Sequence, residues 1–227
     1  MNFNFNETAG ISQSSTRKTL EGNKIHEVKF DGCEARDIQG VQDPSKVYHV
    51  LDIKFSNDEG YFTHTIWEPR DSDMEDTQGS FGPTPSNVKS MMLTLKHLID
   101  AVNPELGKQI DKKEKSLNAS SWETLRQAMV KATEPGKGTT TKIKLVKRKN
   151  GEASFPGFVA SYNRQGQLYM RTNFIGNNIF FTNKELEAIK KQEAAKPTNM
   201  SDALVLDETP KAEEPKNEDF NFDIAAL

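Results

Sequence analysis

Val47-Tyr48-His49-Val50-Leu51-Asp52-Ile53-Lys54-Phe55 alternates with a period of two. Val47, His49, Leu51, Ile53 and Phe55 share one face; Tyr48, Val50, Asp52 and Lys54 share the other. Successive side chains of a strand point to opposite sides of its sheet, so this segment predicts a strand with one apolar face. Asn57-Asp58-Glu59-Gly60 then supplies a hairpin turn, and Tyr61 to Trp67 is the return strand. Upstream, Lys24 to Ile38 reads as a further strand. Ile25, Val28 and Phe30 give its apolar side, and Gly32 suits a bulge or bend. Asp43-Pro44 marks the turn between the two. Three strands joined by short turns predict an antiparallel meander.

Downstream the pattern changes. Glu68 to Pro85 is acidic and rich in Gly and Pro, which predicts a solvated loop; Asp71, Asp73, Glu75 and Asp76 there would repel phosphate. Thr84 is placed to cap a helix with Pro85 at its first position. Val88, Met91, Met92, Leu95, Leu98, Ile99 and Val102 follow at helical spacing. Asn103-Pro104 ends that helix and opens a short one to Ile110. Ser120-Ser121-Trp122-Glu123 reads as a capping box before Trp122, Leu125, Met129 and Ala132, and Pro135-Gly136 closes the segment. Strands resume at Thr140 to Arg148. Asn150-Gly151 is the strongest hairpin signal in the chain. Phe155 to Tyr162, Gln167 to Phe174 and Ile179 to Phe181 are the remaining strand candidates. Thr182 to Glu185 is a second capping box, which Phe181 and Leu186 are placed to staple, and a short helix runs to about Gln192.

At 227 residues the chain has room for one good core with a helical insertion. Hydrophobic residues make up 34% and charged residues 28%, polar enough to leave part of the chain unfolded. Residues 1–22, rich in Asn, Ser and Thr, read as a flexible N-terminal arm, either a plain frayed terminus or one whose Phe3 and Phe5 dock on a neighbouring copy in a homo-oligomer. Residues 23–192 read as the domain, with the helices inserted at about 85–133. Residues 193–227 read as a disordered acidic tail. The net charge of −3 conceals a division: residues 201–227 carry −6 and residues 1–200 carry +3. Cys33 is the only cysteine, so neither an internal disulfide nor a cysteine-built zinc site is available. No secretory signal or membrane-length apolar run is present, which predicts a soluble intracellular protein with no membrane partner.

The functional signal is concentrated between Lys137 and Phe181. Lys137, Lys142, Lys144, Lys147, Arg148 and Lys149 come with no carboxylate until Glu152. Phe155, Phe158, Tyr162, Tyr169, Phe174, Phe180 and Phe181 follow, with Arg164 and Arg171 among them. Cations attract a phosphodiester backbone through counterion release, and aromatic rings give unpaired bases a stacking surface. The same run can also be a basic hairpin on the rim of an ordinary β domain with its rings in the core. As a nucleic-acid site it nominates Lys142, Lys144, Lys147, Arg148, Arg164 and Arg171 for phosphates. It nominates Phe155, Phe158, Tyr162 and Tyr169 for bases. Phe180 and Phe181 are assigned to the last helix instead.

Other constellations carry little chemistry. Glu134-Pro-Gly-Lys-Gly-Thr-Thr lacks the first Gly of a phosphate loop and has Gly138 where Ser or Thr belongs. His26, His49, His64 and His97 lack metal-ligand spacing, and no nucleophile motif or carboxylate pair stands out. The expectation is a protein with no cofactor, no metal and no catalytic activity. The tail tip is more specific. Phe220, Phe222 and Ile224 alternate with polar or acidic residues, including Asp219 and Asp223, in a form that can lay apolar side chains into a pocket while carboxylates meet a basic rim.

Strands, a helical segment, then strands is the order of an OB-fold barrel. This layout, the basic aromatic hairpins and the acidic tail with its apolar tip together resemble single-stranded-DNA-binding proteins, the bacteriophage replication type above all. The resemblance spans the layout of residues 24–182 and the tip at 219–227. It implies a β-rich α+β fold with an OB-like antiparallel barrel. It implies coating of single-stranded DNA in replication, recombination or repair. It also implies recruitment of replication or recombination proteins through Asp219, Phe220, Phe222, Asp223 and Ile224. The chain ends Asp223-Ile224-Ala225-Ala226-Leu227, without the Ile-Pro-Phe ending of the bacterial tips. The competing expectation is a non-enzymatic structural or virion-assembly protein that uses its Phe-bearing termini as docking peptides.

Overall fold

A sixteen-residue strand, β1 (Lys24–Gln39), runs through the centre of the computed structural model, which describes residues 18–79, 82–115, 119–157 and 160–194. Its second half pairs antiparallel with β2 (Val47–Ser56), from Lys29 opposite Ser56 to Gln39 opposite Val47. Its first half pairs antiparallel with β6 (Thr140–Lys147), from Lys24 opposite Leu145 to Lys29 opposite Thr140. Between the halves the register slips at Phe30/Gly32, and Gly32 takes a φ of +121° that a side chain would resist. A bulge of this kind bends a strand and increases its twist, so one strand can serve two partners that lie on different parts of a curved surface. Adding β3 (Tyr61–Trp67) beyond β2 and β7 (Ala153–Ser154) beyond β6 gives the order β3-β2-β1-β6-β7. The antiparallel sheet is curled into a half-barrel.

The inner face is apolar by alternation. Val28 and Phe30 of β1, Leu51, Ile53 and Phe55 of β2, Phe62 of β3 and Ile143 and Leu145 of β6 are all buried. Four α-helices accompany the sheet among the described residues. The first, α1 (Asn87–Val102), buries Leu95, Leu98, Ile99 and Val102, and α3 (Trp122–Thr133) adds Leu125 and Met129 to the same core. Between them lies α2 (Pro104–Asp111), capped by the Asn103 side chain. The Trp122 indole donates to the His49 carbonyl, and the buried Arg126 guanidinium donates to the Arg36 and Val50 carbonyls and to Asp37. These bonds fix α3 to the β1–β2 end of the sheet. The last helix, α4 (Asn183–Ala194), lies over the outer side of β6.

Several local expectations shift. The meander, the Gly32 bulge, the helical segment and the Thr182/Glu185 capping box are present. The cap of α1 is Ser86, whose side chain accepts from Lys89 N–H, rather than Thr84, which instead belongs to a small hairpin of β4 (Thr77–Gly79) and β5 (Gly82–Thr84). The cap of α3 is Ser121, one residue later than expected, because Glu123 turns to Arg126 and Gln127. The acidic loop is not merely solvated: Asp73 and Asp76 accept from Asn87, Ser86 and Lys89 at the start of α1. Pro156 ends β7 after two residues, and only β8 (Ala160–Tyr162) and β9 (Leu168–Met170) form beyond it. Ile179–Phe181 is not a strand.

Residues 1–17 of the expected arm, Phe3 and Phe5 included, lie outside the described residues. Residues 18–23 form a strap that bridges the two ends of the sheet. Leu20 N–H donates to the Tyr61 carbonyl (2.8 Å) and Tyr61 N–H to the Lys18 carbonyl (3.0 Å), while the Asn23 side chain accepts from Lys147 N–H (2.8 Å). Leu20 is buried in the core. Gly22 passes so close to β6 that a Cβ would stand 2.8 Å from Lys147 Cα. Away from the strap, β3 and β7 share no backbone hydrogen bond among the described residues, and the half-barrel keeps an open seam between them.

Candidate nucleic-acid interface

The seam is a groove. An open volume of about 1290 Å³ lies between the strap (Thr19–Lys24), the start of β3 (Tyr61–Thr63) and the β6–β7 hairpin (Lys147–Ala153). The hairpin is tight: Arg148 N–H donates to the Glu152 carbonyl, Gly151 N–H to the Arg148 carbonyl, and Gly151 holds a φ of +90°. Asn150 turns its side chain onto Glu152. Arg148 and Lys149 are left exposed, with Lys147 half-buried beside them. Of the groove's other charges, Glu21 is paired with Lys24, which pulls the Glu21 carboxyl below its ordinary range. Among the described residues, Lys142, Lys147, Arg148, Lys149, Arg164 and Arg171 make no ion pair. Their charge is therefore open to an external anion.

Two nominated residues are excluded by burial. Lys144 is fully buried. Alternation puts it on the outer face of β6, but α4 covers that face. Its ammonium donates to both Glu185 carboxylate oxygens (2.9 Å), to the Thr172 hydroxyl (2.6 Å) and to the Phe180 carbonyl (3.0 Å), and it lies 5.5 Å from the Phe181 ring centre. Burial pushes the Glu185 carboxyl up, but the Thr182 N–H, the Lys144 ammonium and the Thr182 hydroxyl outweigh it and hold the group ionised below its usual range. Lys144 is thus a buried structural cation. Phe155 is likewise core: its ring centre lies 4.7 Å from that of Phe174, 4.8 Å from His64 and 5.0 Å from Phe62. A ring packed on all these sides offers no face to a base. Phe158 and the tail residues Asp219, Phe220, Phe222, Asp223 and Ile224 lie outside the described residues.

The remaining nominees divide into two groups. Lys147 and Arg148 are at the seam, while Lys142 stands exposed farther down β6, opposite Glu27. Tyr162, Arg164, Tyr169 and Arg171 belong to the β8–β9 hairpin, none of them lining the groove. Tyr162 is engaged: its hydroxyl donates to Asp76 (2.6 Å) and accepts from the Lys89 ammonium (2.8 Å). That triad lashes the hairpin to α1 and holds the Asp76 carboxyl down at about 2, through Lys89 first and Tyr162 second. Tyr169 is 44% exposed, and Arg164 and Arg171 are exposed. Phe180, assigned to the last helix from the sequence, is 68% exposed instead.

The outer face of β2 and β3 carries exposed aromatics that the density of charge and rings in the sequence does not nominate. Tyr61, Thr63, Thr65 and Trp67 alternate with the inward Phe62, His64 and Ile66. Trp67 is 52% exposed and meets Tyr48 edge-on at 5.7 Å. Tyr61 is exposed at the groove. Beneath this face Asp52 is buried and fully occupied, accepting from Arg36 (2.8 and 2.9 Å) and from Thr65 (2.7 Å). The alternation that marks Tyr61 and Trp67 as a stripe opposite the core was visible in the sequence; it was outweighed by the density of aromatics farther on. Among the described residues, no group of His, Cys, Asp and Glu is arranged to hold a metal ion, and no helix is long and apolar enough to cross a membrane. No protein-family model, curated protein or solved structure matches the chain.

Proposed function

We propose that this chain binds single-stranded DNA without chemistry, as an OB-like barrel of the kind found in phage replication proteins. The observation that carries the reading is the unpaired cationic hairpin, Lys147-Arg148-Lys149, set on a groove that leads onto the exposed aromatic stripe of β3. Support also comes from topology. Counting the five strands of the half-barrel in chain order gives 3-2-1-4-5, with the helices between the third and fourth, and this is the order of an OB barrel opened between its third and fifth strands. In such barrels the face of the second and third strands and the loops after the first and fourth strands take oligonucleotides. Here those correspond to the Tyr48–Trp67 face, the turn at residues 40–46 and the loop at 148–152. Cations at the groove would neutralise phosphates, and Tyr61 and Trp67 would offer sequence-tolerant stacking.

The test is titration of labelled oligo-dT, with oligo-U and duplex DNA as comparisons, at several salt concentrations. The reading requires binding to single strands that weakens with salt. Replacing Arg148 and Lys149 by alanine should lower the slope of log affinity against log salt by about 1.4, at roughly 0.7 per phosphate contact on a single strand. Failure to bind oligo-dT, or binding without a salt slope, sinks the reading.

A further inference from the structure

A second cavity, sharing no lining residue with the groove at the cationic hairpin, lies among the helices. Met92 and Leu95 of α1, Ile110 of α2, and Leu125 and Met129 of α3 enclose about 450 Å³ of space, a volume within the range of ligand pockets. Leu95, Leu125 and Met129 form a buried floor, and Met92 stands 36% exposed at the mouth. The rim is cationic: Lys96, Lys113 and Lys115 line it. Lys96 is shared between Asp100 and Asp111, whereas Lys113 and Lys115 are exposed and make no ion pair among the described residues. A pocket with an apolar, thioether-bearing wall and ammonium groups at its edge fits a peptide that carries aromatic rings beside carboxylates. Methionine sulfur favours contact with aromatic edges, and its flexible stem adapts to their shape.

The chain itself supplies such a peptide. Glu218-Asp219-Phe220-Asn221-Phe222-Asp223 is the only stretch of residues 195–227 with aromatic residues, and each phenylalanine has an aspartate next to it. The 26 residues 195–220 can extend to roughly 90 Å, whereas a body the size of residues 18–194 has a radius of gyration of about 16 Å. The tip can therefore reach the pocket on its own body. We propose that the C-terminal tip docks in the α1–α2–α3 pocket of the same chain, Phe220 or Phe222 entering between Met92 and Met129 while Asp219 and Asp223 meet Lys113 and Lys115. This site is separate from the cationic hairpin and does not depend on the DNA-binding reading.

Methionine methyl NMR on the chain of residues 1–227 tests it, since Met92 and Met129 report on the pocket and Met74 and Met170 lie elsewhere. Phe220→Ser with Phe222→Ser should move the Met92 and Met129 signals, through loss of the ring current, and leave Met74 and Met170 in place. Phe220 and Phe222 lie outside residues 18–194, and unchanged Met74 and Met170 signals report that the body keeps its fold. In a Lys113→Glu, Lys115→Glu background the same tail substitutions should no longer move Met92 and Met129, because the tip is already repelled. Superimposable wild-type and tail-variant methyl spectra would overturn the proposal. So would tail-dependent shifts confined to the backbone signals of residues 147–153. Met92 and Met129 positions that change on dilution would overturn it in favour of docking between copies.

Discussion

Lys144 shows what a single residue does when its surroundings differ from its alternation. Its charge is held by a carboxylate and two further oxygens, the lysine fully buried and the Glu185 carboxylate partly exposed. Removing the lysine leaves the Glu185 carboxylate without its counter-ion; because that carboxylate is partly exposed, the cost falls towards the lower end of the roughly 3–5 kcal/mol typical of fully buried pairs. Lys144→Met should therefore lower the chemical-denaturation midpoint sharply while leaving the oligo-dT affinity of the folded fraction intact; a selective loss of affinity would return Lys144 to the binding site. His64 carries a pH signature. Burial against Phe155, then the charge of Arg148, pulls its pKa down to about 4, with Asp52 opposing. In the unfolded chain the imidazole titrates near 6.5. The unfolded state thus takes up a proton first, and stability present above about pH 6.5 is lost as the pH falls towards 4. Thermal melts should show a fall in Tm across that window, and His64→Leu should flatten it. Neither residue's state was legible beforehand. Alternation assigns Lys144 to the outer face and puts His64 on a strand that pairs with that of His49, yet His64 lies opposite Ile53. What decides both is a covering element far along the chain, α4 for the lysine and the Phe155 turn for the histidine.

At the level of elements, period-two patterns and turn chemistry were read reliably where neighbours in sequence are neighbours in space. The β1–β2–β3 meander depends on short turns and one glycine bulge, and the Asn57–Gly60 and Asn150–Gly151 turns are closed by local bonds. The strap could not be read this way. Its only apolar anchor is Leu20, and its partners are Tyr61 and Lys147. Gly60 gives it room, since a Cβ there would fall 1.9 Å from the Lys18 carbonyl oxygen. Gly60→Ala should displace the strap, speed proteolytic cleavage near residues 18–23 and lower the Tm, whereas Gly157→Ala, where a Cβ meets nothing within 4 Å among the described residues, should not. The stripe on β3 makes a complementary prediction. If it is a stacking platform, Trp67→Ala should weaken oligo-dT binding by about 1–3 kcal/mol with little change in Tm, because the ring is half in solvent. Tm loss without affinity loss would assign the ring to packing against Tyr48.

For the whole molecule, the order of elements was legible and their closure was not. An expected barrel of strands around a helical segment is present as a half-barrel whose two edges are joined by a strap, because β7 stops at Pro156 before it can reach β3. The candidate site was half legible for the same reason. Charge density, which needs no geometry, nominates Arg148 and its neighbours, and the structure leaves them unpaired among the described residues, while the aromatic candidates require knowing which side of each strand is covered. Phe155 and Tyr162 went to the interior and to a latch; Tyr61 and Trp67 came forward.

The bent central strand has a further consequence, for the order in which the molecule assembles. The second half of β1 meets β2 across a short turn and can pair as soon as both exist. The first half waits for β6: Lys24 lies opposite Leu145, 121 positions away. Until then His26, Val28 and Phe30, all destined for burial, border an open strand edge. During synthesis that edge is exposed for the time taken to make the helices, which is when misassociation with other chains is most available. Pairing at such separation is slow because loop closure must precede the contacts that reward it. The step that completes the half-barrel is therefore the natural bottleneck of folding. Substitutions at the β1–β6 junction, and in the β2–β3 hairpin formed before it, should slow refolding, while those at contacts made after closure, such as Lys144–Glu185, should mainly change the rate of unfolding.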